Sequence, residues 1–146
     1  MVVISNEIKV RIGIGQGSVY NFSPKDAVDN HYYVVLNKDP KKDSELNLAP
    51  FTTKRDKVLK FIELRKLNIK TYVVIEKGEC PSPPLRDDTG IDCNRLIYVD
   101  KETLIELINE SDGSCNYPSL NKNLLKRVIE GVKVSRMVKP TAKEAL

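Results

Sequence analysis

The chain has 146 residues, 40% of them hydrophobic and 30% charged, with 24 Lys+Arg against 20 Asp+Glu and a net charge of +4. That balance excludes a disordered polyelectrolyte and suffices for one core, so a single domain over residues 1–146 is expected. No apolar run approaches the roughly 20 residues that span a bilayer, and the first residues lack the basic and apolar regions of a secretory leader; no membrane association and a cytoplasmic location are expected.

In chain order, residues 7–12 alternate with period two, which predicts a strand. The run GIGQG, residues 13–17, then turns the chain. A dinucleotide-binding reading of those glycines needs a helix opening directly behind them. Val19, Tyr20, Asn21 and Phe22 continue instead as a strand, so a glycine-rich hairpin is expected. Residues 31–37, HYYVVLN, are β-branched and aromatic, hence a strand with one deeply buried side. It opens on His31, the only histidine in the chain. A polar turn at residues 38–43 leads to further strands at 46–53, 58–64, 71–75 and 90–99. Strands spaced so closely leave no room for crossover helices. The expected fold is therefore mainly β, a small antiparallel SH3-like barrel with C-terminal helices.

The helices come late. Asp100 is a predicted N-cap for a helix over residues 101–109, with Leu104, Ile105 and Ile108 on one face. Ser119 is a predicted cap for a second helix near 120–138. There Leu120, Leu124, Leu125, Val128, Ile129 and Val132 follow helical spacing and form a packing face. Residues 80–84, CPSPP, form a stiff loop, and residues 141–146 are expected to fray.

Chemistry-bearing residues are few. Cys80, Cys93 and Cys115 are odd in number and without close pairing, so reduced thiols are expected rather than disulfides or a zinc site. Cations cluster in two stretches, Lys54 to Lys70 and Lys122 to Lys143, which permits a polyanionic partner. Thr52 and Thr53 end a strand and meet Lys54 and Arg55 at once; hydroxyls hydrogen-bond phosphate and cations stabilise its added charge. Asn94 and Arg95 are candidates for contact with bases, and Tyr20, Phe22, Tyr32, Tyr33 and Phe51 for base stacking, although a small barrel needs most of those rings in its core. His31 suits proton transfer if it faces a cleft.

Taken in order, these pieces resemble the MazF/PemK family of toxin endoribonucleases over roughly residues 17–138. Gly17-Ser18-Val19-Tyr20 matches the family's first strand motif, with Ser18 for the usual acid. Tyr33-Val34-Val35-Leu36-Asn37 matches the second. Pro50-Phe51-Thr52-Thr53-Lys54 matches the third, with Lys54 for glutamine, and residues 94–101 match the fourth. The family's arginine and proline before the second strand are here His31 and Tyr32, and its key threonine is Thr52.

The resemblance implies metal-independent cleavage of single-stranded RNA without a cofactor. The ribose 2′-OH attacks the adjacent phosphate and gives 2′,3′-cyclic phosphate and 5′-OH ends. It also implies a homodimer and an antitoxin partner with an acidic segment across the groove. Thr53, Lys54, Arg55, Asn94 and Arg95 are the expected RNA contacts. His31 is expected as general acid or base, Thr52 as the group that orients phosphate, and Lys54 or Arg55 as charge stabiliser. The alternative is a non-catalytic RNA-binding or protein-interaction module on the same fold, in which replacing the arginine by His31 has removed the chemistry. Residues 77–90 form a long loop whose relation to the site the sequence leaves open.

Overall fold

The computed structural model describes residues 4–25, 29–86 and 88–146. Residues 1–3 of the predicted N-terminal stretch and Asp87 of the long loop lie outside the described residues. Six strands form one antiparallel sheet: β1 (Val19–Phe22), β2 (His31–Val35), β3 (Leu46–Thr52), β4 (Tyr72–Val74), β5 (Gly90–Asp92) and β6 (Ile97–Val99). The order is β1-β2-β3-β5-β4, with β6 beside β3. One edge of β3 takes β2. The other takes β6 along Leu46 to Leu48 and then β5 along Phe51 and Thr52. Among the described residues no ladder joins β4 back to β1, so the sheet is open rather than a closed barrel.

Both faces of the sheet are covered, which explains why residues 33–36 are apolar without a break. Val34, Leu36, Ala49 and Phe51 face a core completed by Leu124, Val128 and Val132 of α4 (Lys122–Val134) and Ala142 of α5 (Pro140–Glu144). Tyr33, Val35, Leu46 and Leu48 face the opposite core. Val10 of α1 (Asn6–Gly13) and Leu104, Ile105 and Ile108 of α3 (Lys101–Glu110) close that side. Truncating a fully buried residue such as Leu48 to alanine costs about 2–5 kcal/mol in sites of this kind.

Several expectations are corrected. Residues 7–12 are helix α1, not a strand. The Ser5 hydroxyl accepts from the Ile8 N–H and starts the helix, which buries only Val10 and leaves Ile8 and Ile12 exposed. Residues 58–64 belong to helix α2 (Arg55–Arg65). Val58 and Ile62, four apart, bury onto Tyr72 in a third small core, and Lys66 ends the helix in the left-handed region at φ 54°. Helix α4 starts at Lys122, capped by Asn121 rather than Ser119. Residues 140–144 do not fray: Pro140 opens α5 and Ala142 is buried. The predicted α3 and its Asp100 cap are found, the carboxylate accepting from Thr103 N–H at 2.7 Å.

Among the described residues no helix is long and apolar enough to cross a membrane. Close approach dictates the glycine at position 131. Gly131 brings α4 against the 3-10 turn Ile69–Thr71, and a Cβ there would meet the Lys70 carbonyl at 2.5 Å and Cys93 Sγ at 3.0 Å.

Candidate functional site

A groove of about 700 Å³ runs between the open ends of β2 and β3, the first turn of α2, the loop before β5 and the β5–β6 turn. Strand pairing sets its floor. The β2–β3 ladder ends at Tyr33 opposite Pro50, and His31 and Thr52 each lie two residues beyond that pair on their strands. Side chains alternate along a strand, so the two residues share a sheet face. Both line the groove. Here β2 leaves the core: Tyr33 is buried, Tyr32 half-buried and His31 exposed.

Thr52 Oγ1 accepts from the Lys54 N–H at 3.1 Å. That bond turns the chain out of β3 and keeps the hydroxyl proton available to donate. Lys54, at the N-cap position of α2, supplies no side-chain cap, so the N–H groups of the helix's first turn adjoin the groove without one. Lys54 and Lys57 line the wall together with Thr53. Pro84, Leu85, Arg86 and Thr89 form the facing wall, so the long loop is part of the site. Among the described lining residues the cations are Lys54, Lys57, Arg86 and Arg95, against one acid, Asp92.

Asp92 carried no expectation from sequence, yet it is the buried carboxyl of this groove. It is 3% exposed; burial raises its pKa, and the Asn94 N–H bond and the nearby Arg95 charge oppose that rise only in part. Its Oδ1 accepts from Asn94 N–H at 3.0 Å and its Oδ2 lies 3.6 Å from Arg95 Nε. An acid in a short, otherwise apolar strand, three residues before an arginine, was the available signal.

The sequence-predicted residues divide. His31, Thr52, Thr53, Lys54 and Arg95 come together in the groove. Asn94 does not line it. The residue is buried, its amide donates to Thr71 Oγ1 at 2.7 Å, and its Oδ1 accepts from the Ser135 hydroxyl at 2.6 Å. Arg55 does not line it either. Its guanidinium lies beside the Tyr72 phenol, which raises its pKa, and among the described residues Arg55 Nε and the Tyr72 hydroxyl are buried without a hydrogen bond of good geometry. Of the candidate stacking rings, Tyr20, Phe22, Tyr33 and Phe51 are core residues, and burial pushes the Tyr20 and Tyr33 phenols up to about 12. Tyr32 packs edge-on against Tyr117, with centroids 5.4 Å apart.

Among the described residues no three His, Cys, Asp or Glu side chains gather as a metal-ligand set. The three cysteines are unbridged, and burial raises each thiol's pKa. What the groove offers is a cationic, hydroxyl-bearing surface with one imidazole and one buried carboxyl.

No protein-family model and no curated protein matches the chain. Solved structures similar to the chain include two endoribonucleases. An endoribonuclease in complex with its cognate antitoxin, from a mycobacterial species, superposes with a TM-score of 0.55 at 12% identity, covering 87% of this chain and 98% of that one. A second mycobacterial endoribonuclease gives a TM-score of 0.49 at 13% identity, over 82% and 86% of the two chains. At that identity the first likeness establishes a shared fold: a β-rich sheet with C-terminal helices.

Proposed function

We propose that the chain is a toxin endoribonuclease of a toxin–antitoxin pair and that the groove binds and cleaves single-stranded RNA. What supports this is one groove lined by His31 and Thr52 together with Lys54, Lys57, Arg86 and Arg95. Polyanionic backbone is drawn to such a surface, and its binding weakens as salt rises. The similarity in fold to an endoribonuclease solved with its antitoxin supports the same reading and an antitoxin partner.

In the proposed reaction a ribose 2′-OH loses its proton to His31 as its oxygen attacks the adjacent phosphorus. The O2′–P bond forms and the P–O5′ bond breaks. The departing 5′ oxygen takes up a proton, and the products are a 2′,3′-cyclic phosphate and a 5′-OH. The Thr52 hydroxyl orients a non-bridging oxygen, and Lys54 stabilises the charge that builds at phosphorus. Asp92 is the second proton-transfer candidate, because burial favours its protonated form. These groups supply proton transfer and charge stabilisation without calling on a metal or cofactor. A homodimer with RNA in a shared groove belongs to the same reading.

The non-catalytic alternative keeps RNA binding and drops cleavage. The observation favouring it is His31 at the position where the resembling family carries arginine. Incubation of the protein with a long single-stranded RNA in EDTA separates the two. The ribonuclease reading predicts fragments ending in cyclic phosphate, and protection when the nucleotide at the cut carries 2′-deoxyribose. Intact RNA that remains bound would establish the alternative.

A further inference from the structure

The β5–β6 turn holds one arginine in an unusual setting. Arg95 is presented by a turn pinned on three sides. Asp92 Oδ1 receives the Asn94 N–H, the Asn94 side chain bridges Thr71 and Ser135, and the Cys93 N–H bonds the Thr71 carbonyl at 2.8 Å. From that base its guanidinium lies over the Phe61 ring of α2, 4.7 Å from the centroid, with Nε 3.6 Å from Asp92 Oδ2. Arg65 approaches the same ring at 5.5 Å. The Arg95 side chain nevertheless stays 62% exposed, and it lines the groove.

A cation that only attracts phosphate needs no such support; a flexible lysine serves. Seating a guanidinium on an aromatic ring fixes its plane, and a planar guanidinium is itself a stacking surface. We infer that the Arg95–Phe61 stack is a shelf for one unpaired nucleobase at the end of the groove. The inference rests on the reading of the groove as an RNA site and adds a subsite to it. Any base presents a π-face, so the shelf tolerates sequence, but only a base free of its duplex partner can lie on it. The shelf thereby selects single strands. It also gives Asn94 a positioning role: that side chain fixes the turn from which Arg95 projects.

The test is equilibrium binding of a 2′-O-methyl RNA, which lacks the attacking hydroxyl, with one abasic nucleotide moved along the strand. The probe is titrated into the unmodified protein, Arg95→Lys and Phe61→Leu, with thermal melts to verify folding. In the unmodified protein one abasic position should weaken binding on the order of tenfold. In Arg95→Lys, which keeps the charge, and in Phe61→Leu, which keeps the helix packing, that position should cease to matter while salt dependence persists. A flat abasic profile in the unmodified protein, or an unchanged profile in Arg95→Lys, would overturn the shelf alone. Failure of the unmodified protein to bind any of these strands would overturn the RNA reading and the shelf with it.

Discussion

Two surfaces of this molecule differ in how far their cationic side chains are paired. On the α1–α3 side Arg11 pairs with Glu7 at 3.1 Å and with Glu102 at 2.8 Å, which ties one helix to the other. Those bonds raise the Arg11 pKa and lower that of Glu102. In the groove Lys54, Lys57, Arg86 and Arg95 face one acid that is itself buried. The first surface neutralises its arginine within the chain; in the second Arg86 lies 3.5 Å from Asp88 and Arg95 3.6 Å from Asp92, while Lys54 and Lys57 form no ion pair among the described residues and stay available to something outside. Adjacent residues repeat the contrast: Asn94 faces inward to hydrogen-bonding partners, while Arg95 projects into the groove. The groove is marked by its two lysines without an ion pair among the described residues rather than by its number of polar groups.

Substitutions that cross this divide should give separable effects. The largest is expected at Asn94→Ala. It removes a buried amide that serves Thr71 and Ser135, and a loss of about 1–3 kcal/mol is expected in denaturant melts. A melt within error of the unmodified protein would mean that the turn does not depend on it. Lys57→Ala should leave the melt unchanged but weaken RNA binding, with the slope of log K against log salt becoming shallower by about 0.7. An unchanged slope would place the RNA elsewhere.

A smaller effect is expected at Asp92→Asn. The native pKa of Asp92 lies above its unfolded value, because burial disfavours the ionised form. The native state therefore holds the proton more tightly, and stability from this group is lost as pH rises through the native pKa. Asp92→Asn should melt higher than the unmodified protein at neutral pH, and the difference should shrink as the pH is lowered toward the ordinary carboxylate range. A difference that grows on acidification would contradict the assignment. Smallest of all, Arg11→Ala should leave RNA binding and its salt slope untouched, since that cation already has partners in the chain. A loss of binding there would break the contrast between the two surfaces.

The strands that build the site could be read from sequence because β2 and β3 obey simple rules. Residues 31–35 are aromatic or β-branched, and residues 46–52 end in a threonine that Thr53, Lys54 and Arg55 follow. The helices α1 and α2 could not be read so easily. In residues 7–12 the alternation Glu7-Ile8-Lys9-Val10-Arg11-Ile12 is the pattern of a half-buried strand, yet the helix buries Val10 alone; the better signal was Ser5 as cap. In α2 the four-residue spacing of Val58 and Ile62 was hidden among Leu59, Phe61 and Leu64, and no capping side chain marked the start. Within the site, Thr52, Lys54 and His31 were recoverable from type and position. Asp92, Lys57 and Arg86 were not, because their relevance depends on which turn the fold brings beside β2. Asn94 looked available because polarity in a sequence does not say whether the hydrogen-bonding partners lie inside.

The central claim is that His31 and Thr52 act together on RNA held by the cationic groove. Its most direct test is the rate of single-stranded RNA cleavage in EDTA by the unmodified protein, His31→Ala and Thr52→Ala, with Arg11→Ala as the control from the opposite surface. The account predicts cyclic-phosphate products from the unmodified protein and from Arg11→Ala, and a rate lower by about a hundredfold or more in His31→Ala, with Thr52→Ala also impaired. Cleavage that proceeds at the unmodified rate in His31→Ala would contradict it.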